Sequence, residues 1–347
     1  MKFFRNTLTG ILCLLGCTLF AQKGFTLVDK PQNKKIEVLY GGKLVTAYCY
    51  FDSTEKPVLF PIKTLAGTTI TRGFPIAPRA GERTDHPHHV GLWLNYESVN
   101  DLDFWNNSTA ISAEKKPKYG SIKHQKVLTQ KAKGDNAKIE TTSNWVNQNG
   151  DVLLEEKTTF NFSKHGNDLI IDRASNLVAK ADEVVFKDVK DGMLGLRVAR
   201  QLEMPSNQAD KFVDASGNIT TVSKMDNDGV TGMYVNDQGA TGDAVWGTRG
   251  TWAALNGKKD GENISIVIID HPKNIGFPTY WHARGYGLFA ANPLGQKVFT
   301  NGKQELNFKL KKGEQTTFRY RVIIHGGESP LSAEQNNVYS KAFATTK

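Results

Sequence analysis

Leu153-Leu154-Glu155-Glu156-Lys157-Thr158-Thr159-Phe160-Asn161-Phe162, then His165-Gly166-Asn167, then Asp168-Leu169-Ile170-Ile171-Asp172-Arg173-Ala174-Ser175-Asn176: this stretch decides the fold. Apolar and polar residues alternate on both sides of a glycine-centred turn, the pattern of two half-buried antiparallel strands joined as a hairpin. The same reading extends outward to strands at 35–40, 44–51, 138–146, 264–270 and 316–325. Gly41-Gly42, Asn149-Gly150-Asp151, Asn256-Gly257 and Asn301-Gly302 supply further turns. No long amphipathic helix competes; only 332–339 predicts a short one. Many strands at regular spacing argue for an all-β chain, a single large antiparallel β-sandwich. The Gly-, Asp- and Asn-rich stretch 217–243 is expected as a surface excursion near the site.

The first 21 residues read as a signal peptide, leaving 22–347 as one sandwich domain. Lys2 and Arg5 precede an apolar run from Leu8 to Leu19, and Ala21 offers a small residue at the cut. The protein is therefore expected to be exported, periplasmic or secreted. Leu14-Leu15-Gly16-Cys17 also resembles a lipobox, which would place a lipid anchor on Cys17, but bulky Leu15 favours the soluble form. No later stretch approaches the roughly 20 apolar residues of a membrane span. Cleavage leaves Cys49 alone, so no internal disulfide is expected. It also lowers the formal net charge from +9 to +7. The lysines are scattered, as in Lys115, Lys116 and Lys118, which suits solvated faces, and no nucleic-acid module is present.

Five of the eight histidines sit in two segments. The first is Asp85-His86-Pro87-His88-His89-Val90-Gly91-Leu92-Trp93. The second runs from Asp270-His271-Pro272 to Trp281-His282-Ala283-Arg284-Gly285-Tyr286. Imidazole suits proton transfer near neutral pH and metal ligation. In extended conformation His86 and His88 would share one face and His89 the other; His282, Arg284 and Tyr286 would likewise share a face. His88, His89 and His282 are the candidates for proton transfer, with Arg284 and Arg197 holding anionic or hydroxyl groups. In both Asp-His-Pro triplets the aspartate is expected to orient the following ring. Asp191, in Lys190-Asp191-Gly192, is a candidate base, ring orienter or ion-pair anchor for Arg197. His86, Trp93, Trp105, Trp281, Tyr286 and Asn292 are candidate substrate contacts, the rings stacking on sugar C–H faces. Asn95, Glu97, Asn100, Asp101 and Asp103 lie beside them; Asp101 and Asp103 suit turns or caps. Trp246 and Trp252 are open between subsite and packing.

Absent signatures narrow the chemistry. There is no Gly-rich phosphate loop, His-Glu-x-x-His helix, paired-cysteine ribbon or Gly-x-Ser-x-Gly elbow. No organic cofactor is implied. A divalent metal on His86 and His88, with His271 or His282, is the one non-protein group these histidines admit.

The combination Asp85-His86-Pro87-His88-His89-x-Gly91-Leu92-Trp93, Val99-Asn100-x-x-Asp103-Phe104-Trp105, Lys190-Asp191-Gly192, Asp270-His271-Pro272 and Trp281-His282-x-Arg284 resembles the PmoA-like family of exported bacterial proteins. The resemblance spans residues 30 to 326; Val90 and Asp191 depart from it, where Arg and Glu are usual. Its inherited label, methane oxygenase, fits poorly, since such a subunit needs membrane spans. The resemblance implies a role in carbohydrate and polysaccharide use. The 71–79 segment, Thr-Arg-Gly-Phe-Pro-Ile-Ala-Pro-Arg, is similar over some 30 residues to aldose-epimerase-type proteins and implies a galactose-mutarotase-like supersandwich. Together these give the expectation of an exported carbohydrate-active enzyme that cleaves a glycosidic bond or isomerises a sugar by histidine/carboxylate acid–base chemistry. Two alternatives stay open: a non-catalytic glycan-binding protein and a histidine-ligated metalloenzyme.

Overall fold

The computed structural model describes residues 23–346. The expected signal peptide, with Cys13 and Cys17, lies outside them. The chain is almost all β, as the alternation predicts, and two large antiparallel sheets dominate. In spatial order the nine-stranded sheet runs Phe25–Lys30, Lys35–Tyr40, Lys43–Cys49, Val58–Leu59, Leu92–Tyr96, Gly192–Arg197, Leu288–Asn292, Thr279–Arg284 and Arg249–Gly250. The eight-stranded sheet runs Met233–Asn236, Trp252–Lys259, Glu262–Asp270, Gln315–Gly327, Asp168–Ala179, Val152–His165, Asn136–Val146 and Ser121–Lys133.

Alternation decides what each face meets. Leu92, Leu94, Leu194, Leu196, Phe289 and Ala291 from the first sheet share one core with Phe160, Phe162, Ile171, Ile266, Ile268 and Val322 from the second. The two sheets are therefore layers of a sandwich, held by burial of continuous apolar faces. The outer face of the eight-stranded sheet carries Trp252, Val267, Ile269 and Ile323, covered by the helix Ala333–Ala344 through Phe343. That helix begins where Ser332 and Gln335 form a capping box, the start expected from sequence. Cys49 is a free, buried thiol.

The quoted hairpin forms as read, with His165 paired to Asp168 across the turn. Asn256-Gly257, expected as a turn, instead lies inside the Trp252–Lys259 strand. The reversal comes at Asp260-Gly261, whose φ angles of 50° and 83° suit a two-residue hairpin turn. Gly257 has a packing reason: a Cβ there would meet Leu202 Cδ2 at 2.9 Å.

The outer face of the nine-stranded sheet carries the residues of interest. Trp93, Gly195, Ala290 and His282 stand in one row across four adjacent strands. Those strands come from three distant parts of the chain, so the row exists only in the folded sheet. The Trp93 indole lies flat over Gly195, where a Cβ would approach Trp93 Cζ2 to 2.4 Å and Trp105 Cη2 to 2.9 Å. Gly195→Ala is therefore expected to overpack this layer and cost about 1–3 kcal/mol. Urea unfolding should show a lower midpoint with an unchanged m-value, and an unchanged midpoint would mean the indole can move aside.

Candidate functional site

The first histidine segment is a turn, not an extended strand. His86 adopts φ 44°, Pro87 takes the following corner, and the His89 amide donates to the His86 carbonyl at 3.0 Å. This folds all three rings together: the ring centres of His86 and His89 are 4.8 Å apart, of His88 and His89 4.3 Å, and of His86 and His88 5.5 Å. His86 stacks on His89 and also on Tyr286, at 5.0 Å, and the His89 and Tyr286 ring centres are themselves 6.4 Å apart. His89 in turn stacks on Trp93 at 5.3 Å, and Trp93 packs against Trp105.

Two buried guanidiniums hold the turn. Arg72 donates to Asp85 Oδ1 at 2.7 Å and to the carbonyls of Asp85, His86 and His89 at 2.8, 2.9 and 3.1 Å. Arg197 reaches the same Asp85 Oδ1 at 2.6 Å and His89 Nδ1 at 3.2 Å. Burial alone would raise the Asp85 carboxyl, but His86, Arg197 and Arg72 outweigh it and hold it well below the usual range. The other Asp85 oxygen lies 2.5 Å from His86 Nδ1, so this aspartate orients the following ring as expected. Arg197 thus positions the turn and has no ion pair with Asp191. The two sit at opposite ends of the Gly192–Arg197 strand, roughly 20 Å of extended chain. Arg72 had no local signal to reveal it, because its partners are fixed only by the tertiary fold.

Burial, and then neighbouring positive charge, drives His88 and His89 well below the ordinary histidine pKa. Both are neutral near pH 7. Because Arg197 can only donate, His89 Nδ1 accepts and its proton belongs on Nε2. Beneath the turn, buried Lys56 donates to the His88 carbonyl at 2.8 Å and lies 5.3 Å from the Trp93 ring centre.

A second group stands on the same face. His282 and Arg284 project together from the Thr279–Arg284 strand, as alternation predicts. His282 Nδ1 is 3.2 Å from Asp191 Oδ1, out of line for a full hydrogen bond. Burial pulls His282 down to about 4, with Asp191 opposing. Asp191 also pairs with Lys190, and its amide lies 3.3 Å from Glu97 Oε2. Burial, then the Asp191 charge, pushes Glu97 up to about 7. Glu97 was not among the residues singled out as catalytic. Its signal was the alternation Trp93, Asn95, Glu97 on one strand face.

Other expected contacts take different places. Trp281 points into the inter-sheet core, because alternation sends it away from His282. Trp93 and Trp105 are fully buried under His89 and form a floor beneath the rings. Asn292 is consumed by hydrogen bonds to the carbonyls of Val189 and Lys190 and from the Leu294 amide. It braces the loop that presents Asp191. Tyr286 lies in the turn after the strand yet still reaches His86. His271 ends a strand of the other sheet and packs on Phe343, far from the first histidine group. Asp270 accepts from the His271 amide and Asn274, so it does not orient the ring. Asp103 caps Asn106, and Asn100-Asp101 form a turn, as expected.

Among the described residues no group of three or more His, Cys, Asp and Glu side chains is placed to hold a metal ion. The near-parallel stacking of His86 on His89, 3° between planes, keeps their in-plane lone pairs from converging on one point. A cleft of about 430 Å³ opens beside the rings, lined by Arg83, Asp85, His86, Met204, Asp243 and Tyr286 among others. The 217–243 stretch does reach this cleft, through Asp243. A cavity of about 530 Å³ under the Asp210–Val213 and Ile219–Val222 hairpin includes none of the histidines.

Among solved structures the chain is similar to a GH36 α-galactosidase from Geobacillus stearothermophilus, at 11% identity and a TM-score of 0.40. The match covers 88% of this chain and 41% of that one, so the chain spans about two fifths of that enzyme. It is also similar to a galactose 1-epimerase from Lactobacillus acidophilus NCFM, at 9% identity and a TM-score of 0.38, over 89% of this chain and 100% of that one. A galactose mutarotase related enzyme from Lactobacillus acidophilus matches at 10% identity and a TM-score of 0.29, over 87% and 97%. These likenesses are too distant to transfer an activity, and the sandwich rests on the chain's own strand register. No curated protein matches. A family profile matches residues 35–340, and the chain belongs to that family, the family of unknown function DUF6807.

Proposed function

We propose that this is an exported enzyme acting on a sugar or oligosaccharide by histidine/carboxylate acid–base chemistry. The observation that carries the reading is the placement of buried Asp191 between His282 and Glu97. One neighbour is a histidine kept neutral by burial, the other a carboxyl kept protonated toward neutral pH. Pushing the pKa values of paired groups apart is how a site divides base and acid roles. In this reading His282 accepts a proton, Glu97 donates one, and Asp191 steadies the imidazolium as it forms. The stacked rings of His86 and Tyr286 offer a flat edge to sugar C–H faces, and Arg284 supplies donors for oxygen atoms. Glycosidic cleavage and sugar isomerisation both need this acid–base pair. Export belongs to the proposal through the charged and apolar N-terminal run of Lys2, Arg5 and Leu8 to Leu19.

Activity against a panel of sugars and oligosaccharides should follow a bell-shaped pH profile. The rate should rise as His282 loses its proton through about 4 and fall as Glu97 loses its own through about 7. Glu97→Gln should abolish the alkaline limb with a loss of about 10²–10⁴-fold. Asp191→Asn should lower kcat more than it raises KM. No product from any glycan, at any pH between the two limbs, overturns the catalytic reading.

Buried neutral histidines also set a stability trend. Their folded pKa values lie below the unfolded value, so below about 6.5 the unfolded chain takes up protons that the folded chain does not. Stability should therefore fall with pH from about 6.5 down toward 4, by roughly one kcal/mol per pH unit for each such histidine. His282→Gln should flatten the slope measured by urea unfolding at a series of pH values. A slope equal to that of the unaltered protein would show that His282 is charged when folded.

A further inference from the structure

Trp246 is 38% exposed, an unusual state for an indole beside a site whose other tryptophans are buried. Its ring is braced edge-on by Phe299 at 5.5 Å, and Phe299 stacks on Tyr280 at 5.0 Å. The Arg284 guanidinium lies 5.9 Å from the Trp246 ring centre and 6.0 Å from that of Tyr286. Tyr286 is itself held by stacking on His86. Arg284 is exposed and, among the described residues, its side chain makes no ion pair and no hydrogen bond. The other arginines near the histidines, Arg72, Arg83 and Arg197, are all committed to carboxylates. Arg284 thus presents a planar fork with its donors free, flanked by two braced aromatic rings.

We propose that Trp246, Arg284 and Tyr286 form a subsite for the carboxylate of an acidic sugar, so that the substrate is an oligosaccharide containing uronic acid residues. The inference rests on the carbohydrate reading above and names its substrate class. A uronic acid pairs a C–H face, which stacks on an indole or phenol, with a planar carboxylate, which accepts two parallel hydrogen bonds from a guanidinium. Arg284 is two residues along the strand from His282, roughly 7 Å, which places the carboxylate subsite about one sugar unit from the proton-transfer group. A carboxylate, Asp243, lines the adjoining cleft and lies beside Gly285, the residue after Arg284. It makes no ion pair with Arg284, and its carboxylate should weaken anion binding through space.

The test is calorimetric titration at low salt with oligomers of polygalacturonate and of alginate, each against its own carboxyl-reduced form. Reduction keeps the linkage and removes only the charge. The unaltered protein should bind at least one acid form about tenfold or more tighter than its reduced partner. Arg284→Gln should bring that ratio close to one, Asp243→Asn should raise it, and Trp246→Ala should weaken both forms. Because Arg284 is exposed, Arg284→Gln should melt with the unaltered protein, and near-ultraviolet dichroism checks that the fold is intact. Equal binding of acid and reduced forms, discrimination that survives Arg284→Gln, or no binding of any of these polymers overturns the proposal. Discrimination without any product leaves this inference standing and removes the catalytic reading. Turnover of neutral glycans with no acid preference does the reverse.

Discussion

Two buried guanidiniums meeting on one carboxylate fix the histidine turn on which this face is built. The Asp85 carboxylate accepts from both Arg72 and Arg197, and breaking such a buried contact typically costs about 3–5 kcal/mol. With Asp85 held, His86 is oriented, the His86–His89 turn is clamped through its carbonyls, and His89 is locked against Trp93. Two positive charges against one negative also leave a surplus beside His88 and His89. That surplus reinforces burial in keeping both rings neutral. His88 and His89 are therefore neutral members of the ring stack, and the titrating chemistry falls to the separate group around Asp191.

The architecture explains why the two groups are separate yet on one face. Leu92–Tyr96 pairs with Gly192–Arg197, which pairs with Leu288–Asn292, which pairs with Thr279–Arg284. Small residues in the middle of the row, Gly195 and Ala290, make room for the Trp93 and Trp105 rings, which pack over the sheet between its two ends.

Much of this was legible in the sequence, for one reason: the strand period of two is strict. It predicted the hairpin at 153–176, the sandwich, and the common face of His282 and Arg284. The same rule, applied one residue earlier, sends Trp281 to the core, so its placement was readable and was overridden by the attraction of a tryptophan beside a histidine. Glu97 was readable by the same parity with Trp93 and Asn95. The His86–His89 turn was not, because a non-glycine residue at positive φ is stabilised by contacts from Arg72 and Arg197 rather than by its own preference. Nor was the Asp191 pairing with His282, since no local pattern encodes which strands become neighbours across almost a hundred residues.

The clamp on Asp85 has a temporal side. Its Arg72 partner lies 13 residues away along the chain and its Arg197 partner 112. The loop that closes on the first is short, while the loop that closes on the second contains four strands of the eight-stranded layer. Contacts of such separation form late, because the chain must surrender its freedom before they repay it. The histidine stack is thus among the last features to be completed. A chain cut short before Arg197 would carry the whole Asp85–Trp93 motif without the second guanidinium that clamps it.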